Sequence, residues 1–149
     1  MTEKMNQNNG PKLNDQMLIR REKLEKIRAL GVEPYGQKFD YDHHASDIRQ
    51  QAEELEKNET HVRLAGRIMI RQGKTAFCVL RDQSGDIQLY FRKDELPENE
   101  WALFKLVDLG DILGVEGVVF KTHTGELTVR VLHFTMLSKS LRPLPEKWH

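Results

Sequence analysis

Residues 67–92 have the sequence RIMIRQGKTAFCVLRDQSGDIQLYFR, which is typical of consecutive antiparallel strands. Together with the residues just before it, this sequence contains three runs rich in β-branched, aliphatic and aromatic side chains, separated by QG and by QSGD. Glycine beside amide or small polar residues is typical of turns. We therefore predict strands over residues 62–70, 75–81 and 87–91.

Alternation along these strands assigns their side chains to two faces of a sheet. The predicted core face holds Val62, Leu64, Ile68, Ile70, Ile87, Leu89 and Phe91. The opposite face holds Arg63, Arg67, Arg71, Gln88, Tyr90 and Arg92. Guanidinium groups bind backbone phosphates, while aromatic and amide side chains bind unstacked bases. The second face therefore predicts a platform for single-stranded nucleic acid.

The rest of the chain extends this sheet and adds helices. Two further strands, residues 112–120 and 127–137, flank the turn sequence THTG, and a helical pattern over residues 94–107 precedes them. Five strands with a helix between the third and the fourth are the order expected for an OB-fold. We predict a mainly β protein, a five-stranded Greek-key barrel preceded by N-terminal helices.

The leading helix has apolar residues at near-helical spacing, namely Met17, Leu24, Ile27 and Leu30. Its other face is basic and holds Arg20, Arg21, Lys23, Lys26 and Arg28, with Glu22 and Glu25 among them. We interpret this as a solvated face with ion pairs; an accessory phosphate contact is the alternative. A second short helix is expected from Ser46, with Ile48, Ala52 and Leu55 on one face.

Composition limits the function further. The 149 residues carry no net charge, which disfavours nonspecific duplex binding by bulk charge. The single cysteine, Cys78, excludes internal disulfides and indicates a reducing, cytoplasmic location. No apolar run approaches the roughly 20 residues that span a bilayer, so no membrane partner is expected. His43 and His44 have no third ligand nearby, and no metal site or catalytic set of residues is predicted.

We divide the chain into four segments from these patterns. They are a disordered tail at 1–12, an N-terminal helical segment at 13–60, an OB-fold domain at 61–137 and a linker at 138–149. The linker has two prolines separated by one residue and is expected to be extended.

The sequences FCVLRDQSGDIQLYF, DLGDILGVEGVVFKTHTGELTV and LRPLPEKW resemble the N-terminal anticodon-binding region of bacterial class II lysyl-tRNA synthetases. The resemblance runs from about Leu13 to the last residue. It implies an OB barrel that recognises the U-rich anticodon of lysine tRNA. It also implies that Phe77 stacks on an anticodon base, that Gln88 bonds the central uracil, and that Glu126 contacts a neighbouring base. Two further residues are matched to this site, Arg71 in the first loop and Phe120 as a wall of the pocket.

The same resemblance implies roles for the whole enzyme that this chain lacks. The full-length family is an ATP-dependent lysine–tRNA ligase that uses magnesium, acts as a homodimer and has a C-terminal catalytic domain. We expect this chain to be a fragment without catalytic residues or a cofactor of its own, and inactive alone. Separately, the arginines of the predicted platform face, Arg63, Arg67 and Arg92, are expected to contact backbone phosphates of the RNA.

Residue patterns by themselves leave alternatives open. Phe77 has Val79 on its own face and both Cys78 and Leu80 on the other, so either face could be the buried one. Gln88 could simply be solvated, and Glu126 could be an ordinary residue of a hairpin. Two other functions also fit the chain: a free-standing OB module that binds any single-stranded nucleic acid, and a dimerisation or assembly module.

Overall fold

A computed structural model describes residues 13–71 and 76–142 of the chain. The strands are β1 Val62–Arg71, β2 Phe77–Asp82, β3 Gly85–Phe91, β4 Ile112–Lys121 and β5 Leu127–Ser138. The helices are α1 Leu13–Ala29, α2 Ala45–Gln50, α3 Ala52–Lys57 and α4 Glu98–Phe104. The predicted tail at 1–12 and the linker beyond Arg142 lie outside the described residues.

The five strands form a closed barrel in the order β1-β2-β3-β5-β4, with β4 pairing back onto β1. β3 and β5 are parallel, and the other four pairings are antiparallel. The prediction of a five-stranded OB barrel preceded by helices is confirmed. None of the helices in the two described ranges is long and apolar enough to cross a membrane.

Alternate aliphatic side chains of the strands fill the barrel. The fully buried ones include Val62, Leu64, Ile68, Leu80, Ile87, Leu89, Leu113, Val115, Val129 and Val131. Helix α4 closes one end, where Phe104 stacks on Phe91 with ring centroids 4.1 Å apart. Each such side chain stabilises the fold by about 1.5–3 kcal/mol relative to an exposed one, so this core holds the strands in register.

One predicted core residue, Ile70, lies on the outer face. Ile68 pairs with Leu80 and is buried, whereas Ile70 pairs with Val79 and is 47% exposed. The register shifts between Ile68 and Ile70, so β1 has an extra residue opposite β2. Such a β-bulge reverses the side-chain alternation, and for that reason the prediction for Ile70 is wrong.

The predicted second helix is two helices, α2 and α3, which meet at Gln51. The start of α2 lies against the β2–β3 turn. The Ala45 N–H donates to Asp82 Oδ2 at 2.8 Å, and the Ser46 N–H donates to Ser84 Oγ at 3.0 Å. These bonds satisfy N–H groups that a helix start leaves without partners inside the helix, and they fix α2 beside β3.

Helix α1 turns part of its basic face toward the barrel. Arg20 is buried and donates to the carbonyl oxygens of Leu109 and Ser140 at 3.0 and 3.1 Å. Lys23 pairs with Asp108 at 2.7 Å. The interpretation of this face as solvated is therefore wrong for Arg20 and Lys23, because backbone carbonyl oxygens bind Arg20 and the Asp108 carboxylate binds Lys23.

Candidate nucleic-acid interface

Three aromatic rings line the outer face of the barrel. Phe77 pairs with Tyr90 across β2 and β3, and their rings stack with centroids 4.7 Å apart. The Tyr90 and Phe120 rings are 6.1 Å apart. Because Cys78 and Leu80 point into the barrel, Phe77 faces outward, and it keeps 38% of its surface exposed. We call Phe77, Tyr90 and Phe120 the aromatic platform.

Gln88 lies in the cross-strand row next to Phe77 and Tyr90. It pairs with Val79 on β2 and with Thr128 on β5, and Thr128 pairs in turn with Phe120 on β4. Residues two apart on a strand share a face and are separated by about 6.6 Å. A base stacked on Phe77 would therefore adjoin the Gln88 carboxamide.

Glu126 is brought to the same place by the β4–β5 hairpin. The Thr122 N–H donates to the Glu126 carbonyl at 3.0 Å, and Gly125 takes a positive φ of 86° at the turn. The Glu126 side chain is exposed and lines the same depression as Gln88. This depression, which we call the Gln88 depression, has a volume of about 190 Å³, and its other lining residues are Arg49, Ile70, Val79, Asp86 and Ile87.

Comparison with known proteins agrees with this geometry. Residues 62–137 match the model of the OB-fold nucleic acid binding domain family. The chain belongs to this family. The chain is also similar to proteins named lysine–tRNA ligase from Staphylococcus aureus strains Mu3, Mu50 and N315. Each is 48% identical to this chain over 146 aligned positions. Each alignment covers 92% of this chain and 30% of the relative, so the chain spans less than a third of their length.

Arg71, predicted in the first loop and on the platform face, is the last residue of β1 and pairs with the buried Cys78 past the bulge, so the prediction of its face is wrong. Arg71 donates to the carbonyl oxygen of Phe104 at 2.7 Å and to that of Val107. Its guanidinium also lies 4.2 Å from the centroid of the Phe104 ring. Arg71 therefore caps the C-terminal end of α4. Its contact with RNA stays a prediction.

The three arginines expected at phosphates all have protein partners. Arg63 pairs with Glu116 at 2.6 Å, and Arg67 donates to the Gly110 carbonyl at 3.2 Å. Arg92 pairs with Asp94 at 2.8 Å.

Their positions relative to the aromatic platform differ. Arg67 pairs with Arg81, four residues along β2 from Phe77, which is about 13 Å. Arg92 directly follows β3, whose Tyr90 stacks on Phe77. Among these arginines, Arg67 is therefore remote from the platform and Arg92 is near it.

Arg49 and Ile70 are among the residues lining the Gln88 depression that sequence patterns missed. Arg49 is exposed on α2, and its Nη2 donates to the Asp86 carbonyl at 2.5 Å, which holds the guanidinium at the Gln88 depression. No local sequence pattern could have predicted that either residue lies at this depression. The place of Arg49 depends on a contact 37 residues away, and that of Ile70 on the bulge in β1.

Cys78 lies behind the aromatic platform, inside the barrel. Burial raises the pKa of its thiol to about 11, and the nearby charge of Arg71 offsets only part of that rise. The thiol is therefore neutral at pH 7 and packs as a core residue. Within the described ranges, no cluster of three or more His, Cys, Asp or Glu side chains could hold a metal ion.

A larger depression of about 310 Å³ lies elsewhere on the barrel, lined by Tyr41, His44, Ala65, Asp82 and Gln83. The Asp82 carboxylate there already accepts backbone N–H bonds from Ala45, Ser84 and Gly85. This carboxylate is occupied in joining α2 to the β2–β3 turn. The aromatic platform and the Gln88 depression are therefore the stronger candidate for a nucleic-acid interface.

Proposed function

We propose that this chain binds the anticodon loop of lysine tRNA through the outer face of β2 and β3. The observation that carries this proposal is the exposed Phe77 ring, stacked on Tyr90 and placed beside the Gln88 depression. Stacking of an unpaired base on an aromatic ring contributes about 1–3 kcal/mol. The nucleic-acid-binding family and the similarity to proteins named lysine–tRNA ligase support RNA as the ligand.

Each side chain has a chemical role in this proposal. Phe77 stacks on a base, and the Gln88 carboxamide offers an acceptor and a donor in one plane, which matches uracil. Glu126 accepts a hydrogen bond from a neighbouring base, and Phe120 bounds the site. Arg92 contacts a phosphate at the platform end. Because the chain has no net charge, these local contacts must supply most of the affinity.

We infer that a full-length protein of this kind joins lysine to tRNA in the cytoplasm with ATP and magnesium, as a homodimer. In this chain the platform and the depression bind RNA, and we assign them no step in lysine activation. Purified chain is expected to show no lysine-dependent exchange between ATP and pyrophosphate.

The proposed function is tested by substituting Phe77. Phe77→Ala should weaken binding to a lysine anticodon stem-loop by about 1–3 kcal/mol and leave the melting temperature nearly unchanged, because the ring lies outside the core. Affinity is measured by fluorescence anisotropy and stability by thermal unfolding. A pyrimidine-rich strand without structure serves as competitor.

Tyr41→Ala is the matched control, since Tyr41 is an aromatic residue that is 54% exposed and lines the other depression. It should leave affinity unchanged. A Phe77→Ala variant with lower stability and full affinity would contradict the platform. Equal binding of the competitor and the stem-loop would favour the general single-strand binder instead.

Helix α1 favours a second function, assembly with another copy of this chain. Its Leu18 and Ile19 are 58% and 46% exposed, which is unusual for two large adjacent aliphatic residues. Burial of both in a dimer would stabilise it. Sedimentation of the chain should give a dimeric mass that Leu18→Lys reduces to a monomeric one. A monomeric mass before substitution would contradict this function.

A further inference from the structure

A buried hydroxyl group holds the Gln88 side chain. Thr128 is fully buried, and its Oγ1 accepts a hydrogen bond from Gln88 Nε2 at 3.0 Å. The same hydroxyl donates to the carbonyl oxygen of Glu126 at 3.1 Å. That carbonyl also accepts the Thr122 N–H at 3.0 Å, so the β4–β5 hairpin fixes its position. Gln88, Thr128 and the hairpin therefore form one chain of hydrogen bonds.

The donors and acceptors in this series of hydrogen bonds fix the orientation of the Gln88 carboxamide. A carbonyl oxygen can only accept, so the hydrogen bond between Thr128 and the Glu126 carbonyl uses the single proton of the Thr128 hydroxyl. The hydroxyl then has only lone pairs to offer Gln88, which must present its NH2 group. The orientation follows because the hydroxyl has one proton and that proton is already donated to the Glu126 carbonyl.

The opposite end of the carboxamide is its oxygen. With one N–H bound to Thr128, Gln88 offers the Gln88 depression its Oε1 as an acceptor and its second N–H as a donor, in a fixed order. A flipped carboxamide would offer the same two groups in the reverse order. That flip would also set the Gln88 oxygen, which can only accept, against the lone pairs of the Thr128 hydroxyl.

We propose that Thr128 is a positioning residue that makes the site prefer uracil over cytosine. This inference rests on the proposed function. Uracil carries a donor at N3, whereas cytosine carries a lone pair there and an amino group beside it. With the base held on Phe77, an outward Oε1 accepts the N3–H of uracil and faces the lone pair of cytosine. The reversed carboxamide would suit cytosine.

Thr128 cannot contact RNA itself, because its surface is fully buried between β3 and β4. Its effect must pass through Gln88. A purely structural role for the hydroxyl would change stability, and it would change affinity for every loop by the same factor. A positioning role changes the ratio of affinities between loops that differ in one base.

The experiment compares Thr128→Val, which keeps the shape and removes the hydroxyl, with Thr128→Ser, which keeps the hydroxyl. Stem-loops carrying uracil or cytosine at each anticodon position in turn are titrated against the 149-residue chain and both variants. The unsubstituted chain and Thr128→Ser should prefer uracil at one position by roughly 5- to 100-fold. In Thr128→Val that ratio should fall by at least several-fold, since both orders of the carboxamide become accessible.

A second readout needs no RNA. In the unsubstituted chain and in Thr128→Ser, the Gln88 side-chain NH2 protons should give two separate NMR signals, with a cross-peak to residue 128. The cross-peak should be lost or the signals should move in Thr128→Val. If Thr128→Val keeps the full uracil preference, or its Gln88 signals do not change, the positioning role is overturned while the proposed function stands.

Failure of the proposed function has a different signature. In that case the unsubstituted chain binds no stem-loop, or shows no base preference at any anticodon position. Phe77→Ala separates the two further, because losing the stack should lower affinity for both loops by similar factors and leave their ratio nearly unchanged. A ratio lost only in Thr128→Val supports the inference.

Discussion

Glu126 is an exposed carboxylate on a surface for which RNA is the proposed ligand. By charge alone it repels phosphates and should weaken binding. Yet it lines the Gln88 depression, and under the proposed function its oxygens would accept hydrogen bonds from a base and offer none in return. Glu126→Gln should therefore weaken binding to the U-rich loop by about 1–3 kcal/mol and narrow its preference over loops with another base there.

The matched control is Glu53→Gln, which removes one negative charge from the exposed surface of α3. It should change affinity little, and equally for all loops. Binding constants for a series of single-base loops measure both effects. If Glu126→Gln binds every loop more tightly with unchanged preference, Glu126 acts only as a repelling charge.

At the scale of elements, α2 adds a cation, Arg49, to the lining of the Gln88 depression. Arg49 is bound to the Asp86 carbonyl and shares this surface with the carboxylates of Glu126 and Asp86. We expect Arg49→Ala to weaken binding to all loops by a similar factor and to reduce the slope of log affinity against log salt by about 1. Titrations over a range of salt concentrations measure that slope.

Arg28→Ala is the control for Arg49, since Arg28 is an exposed arginine on α1. Its salt slope should match that of the unsubstituted chain. Thermal unfolding checks that Arg49→Ala keeps its fold after losing the bond to Asp86. An unchanged salt slope in Arg49→Ala would exclude a phosphate contact.

The junction of α2 with the β2–β3 turn depends on pH through Asp82. Burial by itself raises the pKa of Asp82, but hydrogen bonds from Ser84, Ala45 and Gly85 outweigh it and the pKa is lowered. A carboxyl with a lowered pKa in the folded state adds stability above its unfolded pKa of about 3.9. That stability is lost as the pH falls through the lower folded value.

Asp82→Asn should therefore lower the free energy of unfolding at pH 7 by about 1–2 kcal/mol, the usual size for a lost capping carboxylate. The difference from the unsubstituted chain should shrink as the pH falls below the unfolded pKa of about 3.9 and through the lower folded value. Urea unfolding at several pH values measures it. Asp40→Asn, at an exposed position, is the control and should change stability at pH 7 by no more than about 0.5 kcal/mol. An Asp82→Asn deficit that stays constant through the acidic range would contradict this account.

At the scale of the whole molecule, a buried ion cluster joins α1, the loop after α4 and the end of β5. Lys139 is fully buried and bonds Asp108 at 2.7 Å and Asp111 at 2.8 Å. Burial raises the pKa of Asp111, and the Lys139 charge offsets part of that rise. For the less buried Asp108, Lys139 and Lys23 outweigh burial and lower the pKa. Lys139 is therefore the counterion of the buried Asp111 carboxylate and is shared with Asp108.

Lys139→Met should lower the free energy of unfolding by about 3–5 kcal/mol, because it leaves a buried carboxylate without its counterion. Lys121→Met removes an exposed lysine at the end of β4 and should change stability by no more than about 0.5 kcal/mol. Chemical denaturation measures both. A small loss in Lys139→Met would show that the folded chain does not depend on Lys139 as a counterion.

The sequence alone determined the strand count, the place of a helix between the third and fourth strands, and the outward position of Gln88 and Tyr90. These features follow from local alternation and turn residues, which depend on neighbours a few positions away. The confirmed prediction of an OB barrel rests on that local information, and its combination with the family resemblance placed the site on β2 and β3.

Tertiary structure decided which side chains are available at that site. The bulge in β1 turned Ile70 outward, and packing of Cys78 and Leu80 into the barrel turned Phe77 outward. Long-range hydrogen bonds bound Arg71 to α4 and brought Arg49 to the Gln88 depression. A strand pattern cannot contain these outcomes, because each depends on a partner that is remote in sequence and adjacent only after the barrel has closed.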